Sequence, residues 1–322
     1  MRPTGPLHLG HLLGALENWR TLQESHECFF MVADLHALMG EYENPAEIAK
    51  NSVEMAIDWI ACGIDPEKST IFVQSQIPEH AELGLILGML TPLGWLERNP
   101  TYKEQLREIE GRDLTTYGFL GYPVLQAADI LLYKAHEVPV GEDQLAHLEL
   151  TREIVRRFKH LYKKDIFPEP EALLTKEARI LGLDRRKMSK SYGNAINLSD
   201  AEEVFRKKIT SMITDPSRVK LADPGHPDVC NVYSYWKIFG AEGRAKNVYD
   251  WCTTAKKGCT ECKTELAKDM DVRLAGIRAK RKELEKDRGA IERILREGRE
   301  KASLAAKKTM SEVKELLHLV KD

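Results

Sequence analysis

Residues 27–34 read ECFFMVAD, a near-continuous apolar run that closes on an acid. A strand with one wet face alternates apolar and polar residues. A run that is apolar at almost every position suits a parallel strand covered on both faces. STIFVQS (69–75) and HEVPVG (136–141) are further strand candidates, and helical patterns lie between them. Leu9, Leu12, Leu13 and Leu16 share a helical face, and the pattern over 45–62 follows Asn44-Pro45, a good helix start. Strand and helix in alternation predict an α/β fold, an open parallel sheet with helices on both faces.

After about residue 195 the pattern changes. LSDAEEVFRKKITSMI predicts an amphipathic helix behind a Ser-Asp cap, followed by a Pro/Gly/Asp-rich break at 215–228. The stretch 263–322 is charged, leucine-spaced and free of proline, and predicts two or three helices with breaks at Gly289 and Gly298. A length of 322 residues fits two domains. No apolar stretch approaches the roughly 20 residues of a membrane span, and no secretory signal pattern opens the chain, so a cytoplasmic protein is expected. The net charge of −2 excludes a uniformly polyanion-binding molecule; any nucleic-acid contact must be local.

Two loops carry chemistry. The chain opens MRPTGPLHLGHLLGAL, a Pro-Thr-Gly turn running into a helix. Gly5 and Gly10 allow close backbone approach, and His8 and His11, three apart, are expected on one face of the first helical turn, where they can donate to phosphate. RRKMSKSYGN (185–194) concentrates Arg185, Arg186, Lys187 and Lys190 with two serines, a natural polyphosphate partner.

HLGH near the N-terminus with KMSKS after the sheet resembles the paired signature of class I aminoacyl-tRNA synthetases. YPVLQAADILLYKAHEVPVGEDQLAHLELTRE (122–153) is similar to the amino-acid pocket of tryptophanyl-tRNA synthetases. The resemblance implies a Rossmann-like catalytic domain over 1–194 and a helical anticodon-binding domain over 195–322, in a homodimer without membrane contact. It implies a ligase that activates L-tryptophan with ATP and Mg²⁺ and transfers it to tRNA(Trp). His8, His11, Lys187 and Lys190 would be catalytic. Arg2, Pro3, Thr4, Gly10, His11, Gly141, Glu142, Asp143, Ile180, Lys187, Met188, Ser189, Lys190 and Ser191 would hold ATP. Asp129 would accept the indole N–H, with Ala33, His36, Tyr122, Gln126, Ile130, Val138, Val140 and Gln144 around the ring. An indole is a large apolar plate with one donor, so its site needs an apolar slot and one acceptor, and Asp129 is a single carboxylate among apolar neighbours. Tyrosine-specific relatives share both signatures but usually carry a Gly-Gly-x-Asp-Gln run where this chain has GEDQ (141–144). A non-catalytic RNA-binding paralogue is the alternative from another class. Family members also carry a central strand before the Pro-Thr-Gly turn, which implies a natural start upstream of Met1.

Cys230, Cys252, Cys259 and Cys262 have the spacing Cys-x21-Cys-x6-Cys-x2-Cys, and the Cys-x2-Cys end suits tetrahedral thiolate ligation. Spacing alone does not choose between zinc and a 4Fe–4S cluster; the resemblance to some bacterial tryptophanyl-tRNA synthetases favours the cluster. Arg152, Arg156, Lys159 and Lys163 form a helical stripe that suits either phosphate contact or a solvated face. A second basic run extends from Arg278 to Lys282.

Overall fold

The computed structural model describes residues 1–100, 115–174, 180–190 and 192–320. A helical run α1 opens it, made of Leu9–His11, a π-helical stretch Leu12–Leu16 and Glu17–Leu22. Then come β1 (Cys28–Val32), α2 (Asp34–Glu41), α3 (Ile48–Ala61), β2 (Ser69–Val73), α4 (Glu79–Leu90) and α5 (Leu93–Glu97). After these follow α6 (Tyr117–Leu131), β3 (Glu137–Val140), α7 (Leu145–Tyr162) and β4 (Glu171–Leu174). The rest is helical: α8 (Glu202–Ser211), α9 (Asn231–Phe239), α10 (Arg244–Thr253), α11 (Cys259–Lys286) and α12 (Arg288–Leu316).

The three foreseen strands form, and their pairing is parallel. β1 and β2 run from Cys28 opposite Ser69 to Val32 opposite Val73. β3 pairs with β4 from Glu137 opposite Glu171 to Val140 opposite Leu174. β4 was not foreseen, because EALL is short and exposed at both ends. Among the described residues the ladders stay as two pairs rather than one sheet. Met1 lies beside β1: its amino group donates to Met31 O at 2.7 Å and its carbonyl accepts from Ala33 N at 2.9 Å.

Burial explains the apolar runs. All five residues of β2 are buried. One core joins α1, β1 and α3 to α8, α9 and α11, with Trp19 stacked on Phe30 at 4.6 Å and edge-on to the fully buried Trp59 at 5.3 Å. A second joins Phe72 of β2 to α4, α6, α7 and α12.

Two local expectations need correction. Gly298 does not break a helix; it lies inside α12, where that helix crosses β2. A Cβ there would sit 1.8 Å from the Ile71 carbonyl oxygen, so only hydrogen fits. The break falls instead at Asp287, whose carboxylate caps α12 by accepting from Ala290 N at 2.9 Å. The Ser-Asp pair does not cap α8 either. Ala201 occupies the cap, and Asp200 is engaged by Asn197 N at 2.8 Å and Lys208 Nζ at 2.7 Å. We expect Gly298→Ala to destabilise the protein by about 3 kcal/mol through backbone displacement. Urea unfolding measures this, and a loss under ~0.5 kcal/mol, typical of a surface change, would contradict the packing.

The basic run at 278–282 is partly internal. Arg281 is buried and donates to Asp58 at 2.6 Å and to Glu54, while Arg278 pairs with Asp271. Burial raises the Asp58 carboxyl to about 6 against the pull of Arg281, and the Leu7 amide donates to it as well. A side chain of α11 thus reaches, through α3, the backbone that leads into His8. Among the described residues no helix is long and apolar enough to cross a membrane.

Candidate active site

The opening turn is built by its own side chains. His8 is not in the helix as expected: it is the N-cap, with extended backbone at φ −123° and ψ 174°. Its Nδ1 accepts from Gly10 N at 3.1 Å, and Nδ1 of His11 accepts from His8 N at 3.1 Å. These bonds satisfy amides that a helix start leaves open. Chain geometry rather than helical spacing brings the two rings to 3.9 Å. A neutral imidazole has one N–H, so both rings must carry it at Nε2. Burial first, then Lys190, lowers His8 to about 4; burial first, then His8 and Lys190, lowers His11 to about 3.

These shifts predict that both rings stay neutral Nε2–H tautomers at pH 5.5. Their contribution to stability is full above 6.5, the ordinary histidine value, and declines as pH falls from there toward 4 and 3. Over that window the unfolded chain takes up protons that the native one refuses. ¹⁵N imidazole spectra report the tautomer and the charge; imidazolium signals at pH 5.5 would contradict the geometry.

The second loop meets the first. Lys190 Nζ donates to the Gly5 carbonyl at 2.8 Å, and Gly5 holds φ +121°, a backbone that glycine adopts without strain. Leu9 N donates to Ile196 O at 3.0 Å and Leu198 N to Leu7 O at 2.8 Å, so 196–198 is stitched along the opening turn. The buried Ile180 packs beside Gly10. The loop's shape depends on Asn194, buried behind it. Its Oδ1 accepts from Ser189 N at 2.9 Å, and its Nδ2 donates to Asp184 Oδ1 at 2.7 Å and Lys187 O at 3.1 Å. Met188 is buried, Lys187 is exposed, and Ser191 lies outside the described residues. Burial lowers Lys190 to about 8. Arg2 and Thr4 are exposed and Pro3 is buried. The charge of Arg2 acts on Lys190 and also on Tyr122, lowering both.

Asp129 lies on α6 with its side chain 7% exposed. His36 Nε2 reaches Oδ2 at 2.7 Å, His80 Nδ1 reaches Oδ1 at 2.7 Å, and Gln74 Nε2 spans the two oxygens at 2.8 and 2.9 Å. Burial pushes the carboxyl up, but the bonds from His36 and His80 prevail and hold it below the usual carboxylate range. Of the other expected pocket residues, Ala33 is buried at the start of α2, and Ile130 is half-buried on α6. On β3, Val138 is half-buried and Val140 buried. Tyr122 OH meets His147 Nε2 at 2.7 Å. Gly141 leads into the 3₁₀ turn Glu142–Gln144, where Glu142 and Asp143 are exposed. Gln144 donates to Asp143 at 2.7 Å and accepts from Gln126 at 3.5 Å, tying this turn to α6.

Sequence reading missed Gln74, His80 and Asn194. Gln74 follows β2 and His80 begins α4, so both mark strand-to-helix corners. A lone histidine in IPEH carries no spacing signal that separates it from a surface residue.

The four cysteines lie apart from this site. All four line one cavity, with Arg218, Trp251 and Lys257. Trp236 Nε1 donates to Cys262 Sγ at 3.2 Å, and Arg218 Nη1 lies 3.9 Å from Cys259 Sγ. The soft donor set suits zinc or iron. Yet among the described residues no group of three or more His, Cys, Asp or Glu stands at metal-holding geometry. The stripe on α7 is largely ion-paired: Arg152 and Arg156 with Glu149, Arg156 also with Glu169, and Lys159 with Asp165. Lys163 closes α7 in the left-handed conformation.

Residues 1–275 match the family model "tRNA synthetases class I (W and Y)". The chain is 51% identical to the tryptophan–tRNA ligase of Thermotoga maritima, covering 99% of this chain and 98% of that protein. It is 44% identical to the tryptophan–tRNA ligase of Aquifex aeolicus, again over 99% and 98%. The crystal structure of tryptophanyl-tRNA synthetase from Campylobacter jejuni complexed with ADP and tryptophan superposes with a TM-score of 0.90 at 33% identity, covering 99% and 98%. With two loops joined through Lys190 and Gly5, and with these relatives spanning the whole length, the chain belongs to the class I tRNA synthetases of the tryptophan and tyrosine type.

Proposed function

We propose that the protein is a tryptophan–tRNA ligase, which joins L-tryptophan to ATP as tryptophanyl-AMP and passes the aminoacyl group to tRNA(Trp), releasing AMP and pyrophosphate. The observation that carries this reading is Asp129, a buried acceptor on an otherwise apolar stretch of α6. An anionic carboxylate can accept the one N–H of an indole and donates nothing. The Campylobacter jejuni relative, with ADP and tryptophan bound, supports it.

In the proposed mechanism the substrate carboxylate attacks the α-phosphorus of ATP and pyrophosphate leaves. The protein aligns the reactants and stabilises charge on the departing phosphates. His8 and His11 donate from Nε2, and Lys187 and Lys190 add positive charge from the second loop. Arg2, Pro3, Thr4, Gly10, Ile180, Met188, Ser189 and Ser191 complete the nucleotide site, with Gly141, Glu142 and Asp143 near the ribose. Mg²⁺ brought with ATP would offset part of the phosphate charge, alongside Lys187 and Lys190. Ala33, His36, Tyr122, Gln126, Ile130, Val138, Val140 and Gln144 surround the indole.

Residues 1–194 would act as the catalytic unit and 195–322 as the anticodon-binding unit, in the cytoplasm. A homodimer is supported by the apolar face of α4 and its neighbours, where Met89 is 77% and Tyr117 82% exposed beside exposed Leu85 and Leu93. Cys230, Cys252, Cys259 and Cys262 would hold a 4Fe–4S cluster or zinc, a structural group of soft thiolate ligation. Absorbance near 400 nm after anaerobic purification favours iron, zinc content the alternative, and neither would leave four thiols. Charging of tRNA(Trp) with radiolabelled tryptophan tests the main reading, and charging with tyrosine instead would overturn it.

A further inference from the structure

We infer that His80, held between Asp129 and Tyr133, is a positioning residue that aims the Asp129 carboxylate at the ring N–H of the amino-acid substrate. This rests on the reading of Asp129 as the indole acceptor.

His80 is fully buried at the start of α4, on a different element from the carboxylate it touches. Its Nδ1 lies 2.7 Å from Asp129 Oδ1 and its Nε2 lies 2.8 Å from the Tyr133 hydroxyl. A carboxylate can only accept, so Nδ1 carries the proton and Nε2 faces a hydroxyl able to donate to it. The ring is also held by packing: Phe72 stacks on it at 6.1 Å, and Tyr133 stacks in turn on Phe29 at 4.8 Å. Gln74 is likewise fully buried, and turning its amide over would set its oxygen against the carboxylate. Two buried donors, from the end of β2 and the start of α4, therefore fix the plane of the carboxylate. His36, on Oδ2, is the partner with some exposure, at 11%. A ligand that approaches past His36 would meet Oδ2 while His80 stays in place on Oδ1.

A carboxylate without His80 would turn about its own side-chain bond and lose aim. The experiment compares tryptophan with its benzothiophene analogue, which has the same shape and no N–H, in ATP–pyrophosphate exchange on the full chain. The readout is the ratio of their kcat/KM values. His80→Leu is expected to reduce the wild-type ratio roughly 10-fold, mainly through the KM for tryptophan, with the KM for ATP unchanged. His80→Asn, whose amide nitrogen can take the place of Nδ1, is expected to restore most of it. A folded His80→Leu protein with the wild-type ratio overturns the inference. Where His80→Leu does not fold, Tyr133→Phe removes one hydroxyl and keeps the ring; it is expected to lower the ratio about 3-fold, and an unchanged ratio again overturns the inference. A wild-type enzyme with equal values for the two substrates would instead refute the assignment of Asp129 itself.

Discussion

Asp129→Asn is expected to lower kcat/KM for tryptophan in ATP–pyrophosphate exchange by roughly 10³-fold, about 4 kcal/mol of transition-state binding. The size follows from the partners. His36, His80 and Gln74 all present hydrogens to the two oxygens. Asparagine keeps one oxygen and replaces the other with an N–H₂ group, so at least one buried donor then faces another donor. A site built around a buried acceptor loses far more than the ~10–200-fold that apolar fit alone provides. The acid is lowered below its ordinary value of 3.8, so it stays ionised at every working pH. Its stabilising contribution is present above 3.8 and is lost as pH falls through the lower native value. No acidic limb of the rate profile above pH 5 should therefore come from it. The KM for ATP is expected to stay within about twofold, because the loops that meet at Gly5 are untouched. A loss below ~10-fold in tryptophan kcat/KM would remove Asp129 from its assigned role.

The second large effect concerns Lys190. Its ammonium donates to the Gly5 carbonyl at 2.8 Å, beside two neutral histidines, and burial lowers it to about 8. An arriving polyphosphate adds to the negative charge of Asp58, which alone does not offset burial, so the cation is stabilised most when the phosphates bear most charge. Lys190→Met keeps the stem and removes the charge; kcat for exchange is expected to fall ~10²–10³-fold, with the tryptophan KM little changed. The pH profile supplies a second signature. Raising pH through about 8 removes the cation from the free enzyme, so kcat/KM for ATP should decline on the alkaline side. That limb should vanish in Lys190→Met. A variant with the wild-type limb would assign the titration to another group.

Sequence alone carried the fold class because burial on both faces leaves a direct mark: CFFMV and STIFV are apolar enough to be read without knowing their neighbours. The loops were legible because glycine, histidine and lysine recur there at short spacing. What stayed hidden is pairing across distance. Asp58 meets Arg281 across 223 positions, and His80 meets Asp129 across 49. Periodicity states which face is buried and leaves open which segment covers it. An acid inside the apolar stretch EMAIDWIA of α3 could have announced a buried cation, although not which one. Gly298 was read as a helix breaker because its role, the close passage of α12 over β2, lives in the partner strand.

One arrangement is central: on the proposed function, the two joined loops and the buried Asp129 would serve a single activation reaction on an indole-bearing substrate. Amino-acid-dependent ATP–pyrophosphate exchange measures that directly. Tryptophan is expected to support exchange with kcat/KM at least ~10⁴-fold above tyrosine. Equal rates with both amino acids, or a preference for tyrosine, would contradict it.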